Sequence, residues 1–210
     1  MRSGLAGNKV RMPDFYQNNY AAYHEKTFLI DPAPWLGPLA ADLEPGARVL
    51  DVGCGSGRDL VWLKKRGYMV TGFERSSGLA GLARENAGCE VIEGDFATFD
   101  FSGMAMDAVV MAGSLVHLSY AVFPIVFRNI VRALVNRPNP MSAPIALISL
   151  KGGEGIRRDS DGRTFYLWRD KALRKIFTGC GFSVLDFKCR PSALATADTW
   201  LGYLLGKRPG

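Results

Sequence analysis

Several classes of protein are excluded by what this 210-residue chain has little of. Two histidines and four cysteines, with no C-x-x-C pair, leave little material for a metal site or a disulfide scaffold, so we expect free thiols. No apolar run approaches the about 20 residues that a membrane span needs. The N-terminus, residues 1–13, has basic residues but lacks the apolar core of a secretory signal. We therefore expect a cytoplasmic protein without metal and without a membrane partner.

The charge of the chain is basic, with a formal net charge of +6 and a pI near 9.3. Such a surplus raises the possibility of a nucleic-acid partner. However, the run at 64–66 ends a predicted helix, where cations are favoured, and Arg157-Arg158 lies between acids. We favour solvated helix ends, which makes nucleic acid an unlikely partner. The sequence gives no prediction of the oligomeric state.

What is present is a glycine-rich stretch at 49–59, which reads Val-Leu-Asp-Val-Gly-Cys-Gly-Ser-Gly-Arg-Asp. Apolar, β-favouring residues lead into Gly53, Gly55 and Gly57, and an amphipathic pattern follows them. This predicts a strand, a tight loop and a helix. Glycines allow the backbone to approach a ligand closely, and the helix start offers unpaired N–H groups. We expect a nucleotide-like ligand here.

The neighbouring residues distinguish between types of nucleotide. A dinucleotide fingerprint needs a third glycine where this chain has Arg58, and a phosphate-binding Walker loop needs a lysine that is absent here. Asp51 precedes the glycines, and Glu74 ends the second predicted strand, about 20 residues beyond them. An acid at that place suits the two hydroxyls of a ribose.

The rest of the chain alternates predicted strands and helices, which indicates a parallel sheet covered on both faces. Its first dozen residues are expected to be disordered. Ligands bind such sheets beyond the carboxyl ends of the strands, where Gly53, Glu74, Asp95 and Ala112 would meet. The predicted strands are 48–52, 68–73, 90–93, 106–111, 145–150, 182–188 and 199–205. The predicted helices are 13–30, 35–43, 58–66, 77–87, 124–136 and 169–179, with a loop at 136–144.

Three segments resemble motifs of the class I S-adenosylmethionine-dependent methyltransferases. Residues 49–57 resemble motif I, 73–76 (Phe-Glu-Arg-Ser) the acidic motif II, and 94–96 (Gly-Asp-Phe) the adenine-contacting motif. More narrowly, the chain is similar to small bacterial-type members of unassigned substrate. The resemblance implies an α/β, Rossmann-like fold with a seven-stranded mixed sheet, an antiparallel C-terminal edge hairpin and an N-terminal helical cap. It divides the chain into a tail and cap, 1–45, and a cofactor-binding methyltransferase core, 46–210, within one domain.

The resemblance also implies S-adenosylmethionine as cofactor, with a role for each matched position. The glycines allow backbone approach, Asp51 and Arg58 hold the amino-acid end, Glu74 holds the ribose, and Asp95 with Phe96 meets the adenine. Alternatively, Arg58 is a charge on the helix surface that does not contact the cofactor. Tyrosines 16, 20 and 23 share one helix face, which suits either a lid over the methionine end or simple core packing. The predicted cofactor-binding residues are Tyr16, Tyr20, Thr27, Asp51, Gly53, Cys54, Gly55, Ser56, Gly57, Arg58, Glu74, Arg75, Asp95, Phe96 and Ala112.

Methyl transfer from a sulfonium is an in-line displacement that mainly requires alignment, exclusion of water and, for some acceptors, removal of a proton. His117 is the only plausible imidazole base near the methyl group, with a wall that orients the substrate as the alternative role. The insertion 151–166 is glycine-hinged and charged. Glu154, Arg157 and Arg163 could read the polar groups of an acceptor with a carboxylate or phosphate, or could pair within a solvated hairpin.

The acceptor is only partly constrained. The residues after strand four, Met111 to Ser114, differ from the Asn/Asp-Pro-Pro-aromatic element of enzymes that methylate amino groups of bases or glutamine. No Pro-Cys dipeptide exists for cytosine-C5 chemistry. We therefore predict transfer to O, N or S of a small soluble molecule. An RNA or protein methyltransferase and a non-catalytic cofactor-binding module are the alternatives.

Overall fold

The fold is known from a computed structural model that describes residues 15–135, 144–194 and 198–207. Its helices are α1 (Phe15–Asn18), α2 (Tyr20–Thr27), α3 (Ala33–Asp42), α4 (Arg58–Lys64), α5 (Ser77–Ala87), α6 (Phe123–Ile130) and α7 (Asp170–Gly179). Its strands are β1 (Arg48–Val52), β2 (Met69–Glu74), β3 (Val91–Glu93), β4 (Ala108–Ala112), β5 (Ile145–Gly152), β6 (Ile156–Arg158), β7 (Thr164–Tyr166), β8 (Phe182–Pro191) and β9 (Thr199–Lys207). Two 3-10 turns cover Phe101–Gly103 and Val131–Ala133.

Seven strands form one mixed sheet in the order β3-β2-β1-β4-β5-β9-β8. The first five are parallel, whereas β9 runs antiparallel to both β5 and β8. The predicted fold class is therefore confirmed, including its antiparallel edge pair. After β3 the chain crosses to the other side of β1, so the carboxyl ends of β1 and β4 form the switch point at which such sheets bind ligands.

Apolar side chains cover both faces of this sheet. Strand β5 is buried from Ile145 to Lys151, as expected for a strand with helices on both sides. On one face, α3 contributes Leu36 and Leu39, and the other face holds the larger cluster that includes Phe127. This core fixes the carboxyl ends of the strands as a rigid rim for the site.

Apart from shifts of about one to three residues at the ends of other elements, the structure differs from the sequence prediction in two places. The N-terminal helix is split between α1 and α2 at Asn19, whose backbone leaves the helical region. Helix α6 ends at Ile130, because the following 3-10 turn brings Leu134 beside Met106 in a β-bridge. The insertion after β5, for which a solvated hairpin was one of the two expectations, is a two-stranded hairpin, β6–β7, joined to the loop after β4 by a 3.0 Å bond from the Tyr166 N–H to the Val116 carbonyl.

Two predictions fall on residues that the structure does not describe. The N-terminal tail, predicted to be disordered, falls within residues 1–14, which are not described. The predicted loop at 136–144 is also outside the described residues, except for residue 144. Within the described ranges, no helix combines the length and apolar character needed to cross a membrane. All four cysteines are unpaired.

Candidate active site

A cavity of about 260 Å³ opens at the carboxyl ends of β1, β2 and β4. The N-terminal helices α1 and α2 cover it from outside the sheet. It is thus at the switch point of the fold, where the sequence predicted a ligand. Its lining residues are Tyr16, Gln17, Tyr23, Gly53, Gly55, Glu74, Arg75, Ser76, Leu79, Phe96, Ala112, Gly113, Ser114 and His117.

The glycine loop after β1 needs its glycines for different reasons. All three have a positive backbone φ angle, at 75° for Gly53, 55° for Gly55 and 88° for Gly57. Residues other than glycine rarely adopt such angles. A Cβ on Gly53 would lie 2.4 Å from the Cβ of Ser114, and one on Gly57 would lie 2.9 Å from the backbone of Ala83. Gly55 instead faces the cavity, so its backbone is open to a ligand.

Glu74, at the end of β2, is a carboxylate held by backbone amides. Its Oε2 accepts the Gly55 N–H at 3.0 Å, and its Oε1 accepts the N–H groups of Arg75 and Ser76 at 2.8 and 2.9 Å. Burial raises the pKa of Glu74, while these bonds oppose the rise. Since a carboxylate accepts about four hydrogen bonds, one acceptor position stays available on the cavity side.

Asp51, on β1, lies beneath the glycine loop and is only 2% exposed. Burial, with Asp59 as a further cause, raises its pKa well above the ordinary range. Within the described ranges, its Oδ2 has no hydrogen-bond partner. Arg58 is not the partner of this oxygen, because its Nε donates to Asp59 at 2.6 Å. An orphaned, buried carboxylate oxygen suits a cationic partner, although Asp51 itself does not line the cavity.

The cap is fixed to the start of α5 by polar contacts. Ser76 Oγ donates to the Tyr16 carbonyl at 3.2 Å, and the Ser77 N–H donates to Gln17 Oε1 at 3.0 Å. Tyr20 is 41% exposed and rests on Gly78, and Thr27 donates to the Tyr23 carbonyl at 2.7 Å. Neither Tyr20 nor Thr27 lines the cavity.

His117, in the loop after β4, has both ring nitrogens engaged. Its Nδ1 lies 2.6 Å from the Thr164 carbonyl, which only accepts, so Nδ1 carries the proton. Burial lowers the pKa of His117 to about 4, and the cations Arg163 and Lys151 add to the effect. The ring is therefore neutral at pH 7. Its Nε2 accepts the hydroxyl proton of Tyr16 at 2.9 Å.

The three predicted substrate residues, which lie in or beside the β6–β7 hairpin, each form an ion pair. Glu154 forms an ion pair with Arg169, and both side chains are exposed. Arg157 pairs with Asp198 and, at 2.8 Å, with Asp159, while Arg163 pairs with Asp161 at 2.7 Å. None of the three predicted substrate residues lines the cavity. Arg163 lies close to the cap, with its guanidinium 4.3 Å from the centroid of the Phe15 ring.

Residues 49–137 match the family described as "Methyltransferase domain". These residues therefore contain a methyltransferase domain. No curated protein matches this methyltransferase. Its sheet, cavity and orphaned Asp51 oxygen fit S-adenosylmethionine as the cofactor.

Solved structures share the fold of this methyltransferase. A 1,6-didemethyltoxoflavin N1-methyltransferase from Burkholderia thailandensis, with S-adenosylhomocysteine bound, is 21% identical, with 100% of this chain and 94% of that chain covered and a TM-score of 0.75. A methyltransferase from Methanosarcina mazei is 17% identical, with 82% and 98% covered and a TM-score of 0.69. A TehB-like methyltransferase from Corynebacterium glutamicum is 21% identical, with 93% and 100% covered and a TM-score of 0.67.

The residues predicted for the cofactor separate into two groups in this methyltransferase. Seven of them line the cavity: Tyr16, Gly53, Gly55, Glu74, Arg75, Phe96 and Ala112. Others support its wall. Cys54 packs towards Gly72, the Ser56 carbonyl accepts from Asn86 at 2.9 Å, and the Asp95 carboxylate accepts the Ala97 N–H at 2.9 Å.

Six lining residues were not predicted for the site: Gln17, Tyr23, Ser76, Leu79, Gly113 and Ser114. Tyr23 belongs to the predicted tyrosine face, and Gly113-Ser114 follows β4 as Gly53-Cys54 follows β1. Those two signals were available in the sequence. The positions of Gln17 and Leu79 depend on how the cap sits on α5, which no local pattern encodes.

Proposed function

We propose that this methyltransferase transfers the methyl group of S-adenosylmethionine to N, O or S of a small soluble molecule. The observation that carries the proposal is the cavity beneath the cap, with the buried carboxylate of Glu74 on one side and the Tyr16–His117 pair on another. A covered cavity suits a small acceptor better than an exposed polymer. The Burkholderia neighbour is described with a small molecule, 1,6-didemethyltoxoflavin, bound beside S-adenosylhomocysteine.

The order of the strands suggests how the cofactor lies. Phe96, after β3, marks the adenine end, and Glu74, at the end of β2, would accept a ribose hydroxyl at its free position. The amino-acid end would then lie along the glycine loop, where Asp51 could face the cationic ammonium group. This direction brings the sulfonium towards Ala112 and His117, beyond the end of β4.

The protein's task in the transfer is mainly geometric. The acceptor's lone pair attacks the methyl carbon, and the carbon–sulfur bond breaks with its electrons left on sulfur. Tyr16 and His117 would form the wall against which the acceptor is aligned, and the cap would exclude water. The cavity of about 260 Å³ lies just below the about 300 Å³ or more of pockets that hold drug-sized ligands, so we expect the cap to shift when both molecules bind.

The proposal is tested by incubating the protein with methyl-labelled cofactor and a cell extract, then identifying the labelled product. We expect label in a small molecule. Label confined to RNA or protein would favour a polymer substrate instead. If neither S-adenosylmethionine nor S-adenosylhomocysteine binds the purified protein in calorimetry, the proposal is wrong.

Glu74→Gln tests the ribose contact directly. Loss of the negative charge should weaken the binding of S-adenosylhomocysteine by about tenfold or more, because a charge-assisted hydrogen bond to a ribose hydroxyl becomes a neutral one. Glu93→Gln is the matched control, since Glu93 is an exposed residue whose carboxylate pairs with Arg84. Equal dissociation constants for both variants and the unmodified protein would remove Glu74 from the cofactor site.

A further inference from the structure

The hydroxyl group of Tyr16 has a defined direction. The Thr164 carbonyl fixes the His117 proton on Nδ1, so Nε2 presents a lone pair, and Tyr16 must donate its only proton to it. Because this contact commits the proton, the oxygen of Tyr16 can only act as an acceptor towards every other group.

This arrangement leaves the acceptor positions of the oxygen available. A tyrosine hydroxyl offers one proton and about two acceptor positions, and His117 takes the proton. Tyr16 and His117 both line the cavity, as does Ser114 after β4. The hydroxyl has no second proton to offer to a ligand, so a partner from the cavity must itself be a hydrogen-bond donor.

We propose, on the basis of the proposed function, that a free acceptor position of Tyr16 binds an N–H group of the methyl acceptor, which is therefore a primary or secondary amine. Tyr16 is then the residue that contacts the acceptor. His117 acts through Tyr16 as a positioning residue.

The chemistry of transfer favours an amine over an alcohol at this place. The lone pair of a neutral amine forms the nitrogen–carbon bond, and the electrons of the breaking carbon–sulfur bond stay on sulfur. The product is an ammonium ion that afterwards releases a proton to water. As the nitrogen gains positive charge, its N–H bond to Tyr16 strengthens, which stabilises the transition state more than the ground state.

An alcohol would need a base to take its proton during the transfer. The nearest imidazole, His117, has its Nε2 occupied by Tyr16. Two cations, Arg163 and Lys151, further oppose its protonation, and its pKa is about 4. The predicted role of His117 as a general base thus gives way, in this proposal, to orientation of Tyr16.

A cofactor analogue tests the inference without knowledge of the natural acceptor. The probe is the S-adenosylmethionine analogue in which a carbon bearing a primary amine replaces the methylated sulfonium, so that N–H donors occupy the place of the methyl group. Calorimetry gives its dissociation constant and that of S-adenosylhomocysteine, and the measured quantity is their ratio. The unmodified protein should prefer the amine analogue by about tenfold or more.

Tyr16→Phe should lower this preference by about tenfold and leave the binding of S-adenosylhomocysteine nearly unchanged. His117→Leu keeps the hydroxyl but frees its proton to turn towards the cavity, so the preference should fall there too. Tyr20→Phe is the control, because this tyrosine belongs to the same cap without lining the cavity, and it should keep the preference.

The same preference in Tyr16→Phe as in the unmodified protein would overturn the inference. If Tyr16→Phe no longer binds S-adenosylhomocysteine, the cap has been disturbed, and His117→Leu decides: an unchanged preference there also overturns it. Failure of the unmodified protein to bind S-adenosylhomocysteine is a different result, which refutes the proposed function itself.

Discussion

At the scale of single residues, Asp51 shows a conflict between stability and ligand binding. Its carboxylate is almost fully buried, and one oxygen has no partner in the part of the chain that the structure describes. A buried, unpaired charge destabilises the folded state. The conflict resolves if the cofactor's ammonium group supplies the missing partner.

Asp51→Asn should therefore stabilise the ligand-free protein and weaken cofactor binding. Because the pKa of Asp51 is raised on folding, its protonated form favours the folded state, and this contribution is lost as the pH rises through the folded-state pKa. The stability gain of the variant, measured by urea unfolding, should thus be larger at pH 8 than at pH 5. Its affinity for S-adenosylmethionine at pH 8 should fall by about tenfold.

Asp42→Asn, at an exposed position near the end of α3, provides the comparison and should change neither quantity. A stability difference between Asp51→Asn and the unmodified protein that is the same at both pH values would show that Asp51 is not the titrating group. Unchanged affinity would mean that the ammonium group binds elsewhere.

At the scale of elements, the strands of the main sheet were predicted better than the hairpin and the cap near the site. Strand 48–52 and helix 77–87 have the predicted bounds, because a short run of β-favouring residues and a Ser76 cap mark them in the local sequence. The hairpin β6–β7 was not predicted as strands, since its segment is short, polar and interrupted by glycines. Its position depends on distant contacts, such as the Phe165 ring 4.6 Å from the His117 ring.

The position of the cap likewise depends on a distant residue, Gly78 of α5. A Cβ there would lie 2.5 Å from the Tyr20 ring, so Gly78→Ala should push the cap away from the cavity. We expect weaker binding of S-adenosylhomocysteine in calorimetry and faster amide hydrogen exchange in α1 and α2, with little change in thermal stability.

Gly81→Ala is a matched control in the same helix, because a Cβ there meets nothing within 4 Å. It should bind the cofactor normally and gain slightly in stability, as alanine is the better helix residue. Equal affinities of the two alanine variants would show that the cap does not need its contact with Gly78.

At the scale of the whole molecule, several of the cations that make the chain basic have partners within the protein. Arginines 48, 157 and 163 each pair with a nearby acid, and Lys64 donates to the carbonyls of Ala87 and Gly88. A net charge of +6 is therefore compatible with a small-molecule enzyme. The sum of the charges alone could not reveal this, because two of these pairs, Arg48 with Asp107 and Arg157 with Asp198, join residues far apart in the sequence.

A contact at Gly202 joins the N-terminal and C-terminal parts of the described chain. This glycine of β9 carries the Trp35 ring of α3, so that the last strand, inserted between β5 and β8, packs against a helix from the N-terminal part. A Cβ on Gly202 would lie 2.2 Å from the ring. Gly202→Ala should thus reduce the free energy of unfolding by about 1–3 kcal/mol, the usual cost of overpacking.

The cofactor affinity of Gly202→Ala should stay unchanged, since Gly202 is absent from the cavity wall. Gly37→Ala places the same methyl group in α3, where nothing lies within 4 Å, and should not destabilise the fold. Urea unfolding measures both variants. If they unfold alike, α3 is not held by its contact with β9. If Gly202→Ala also loses cofactor affinity, the packing of α3 on β9 is coupled to the site through the sheet.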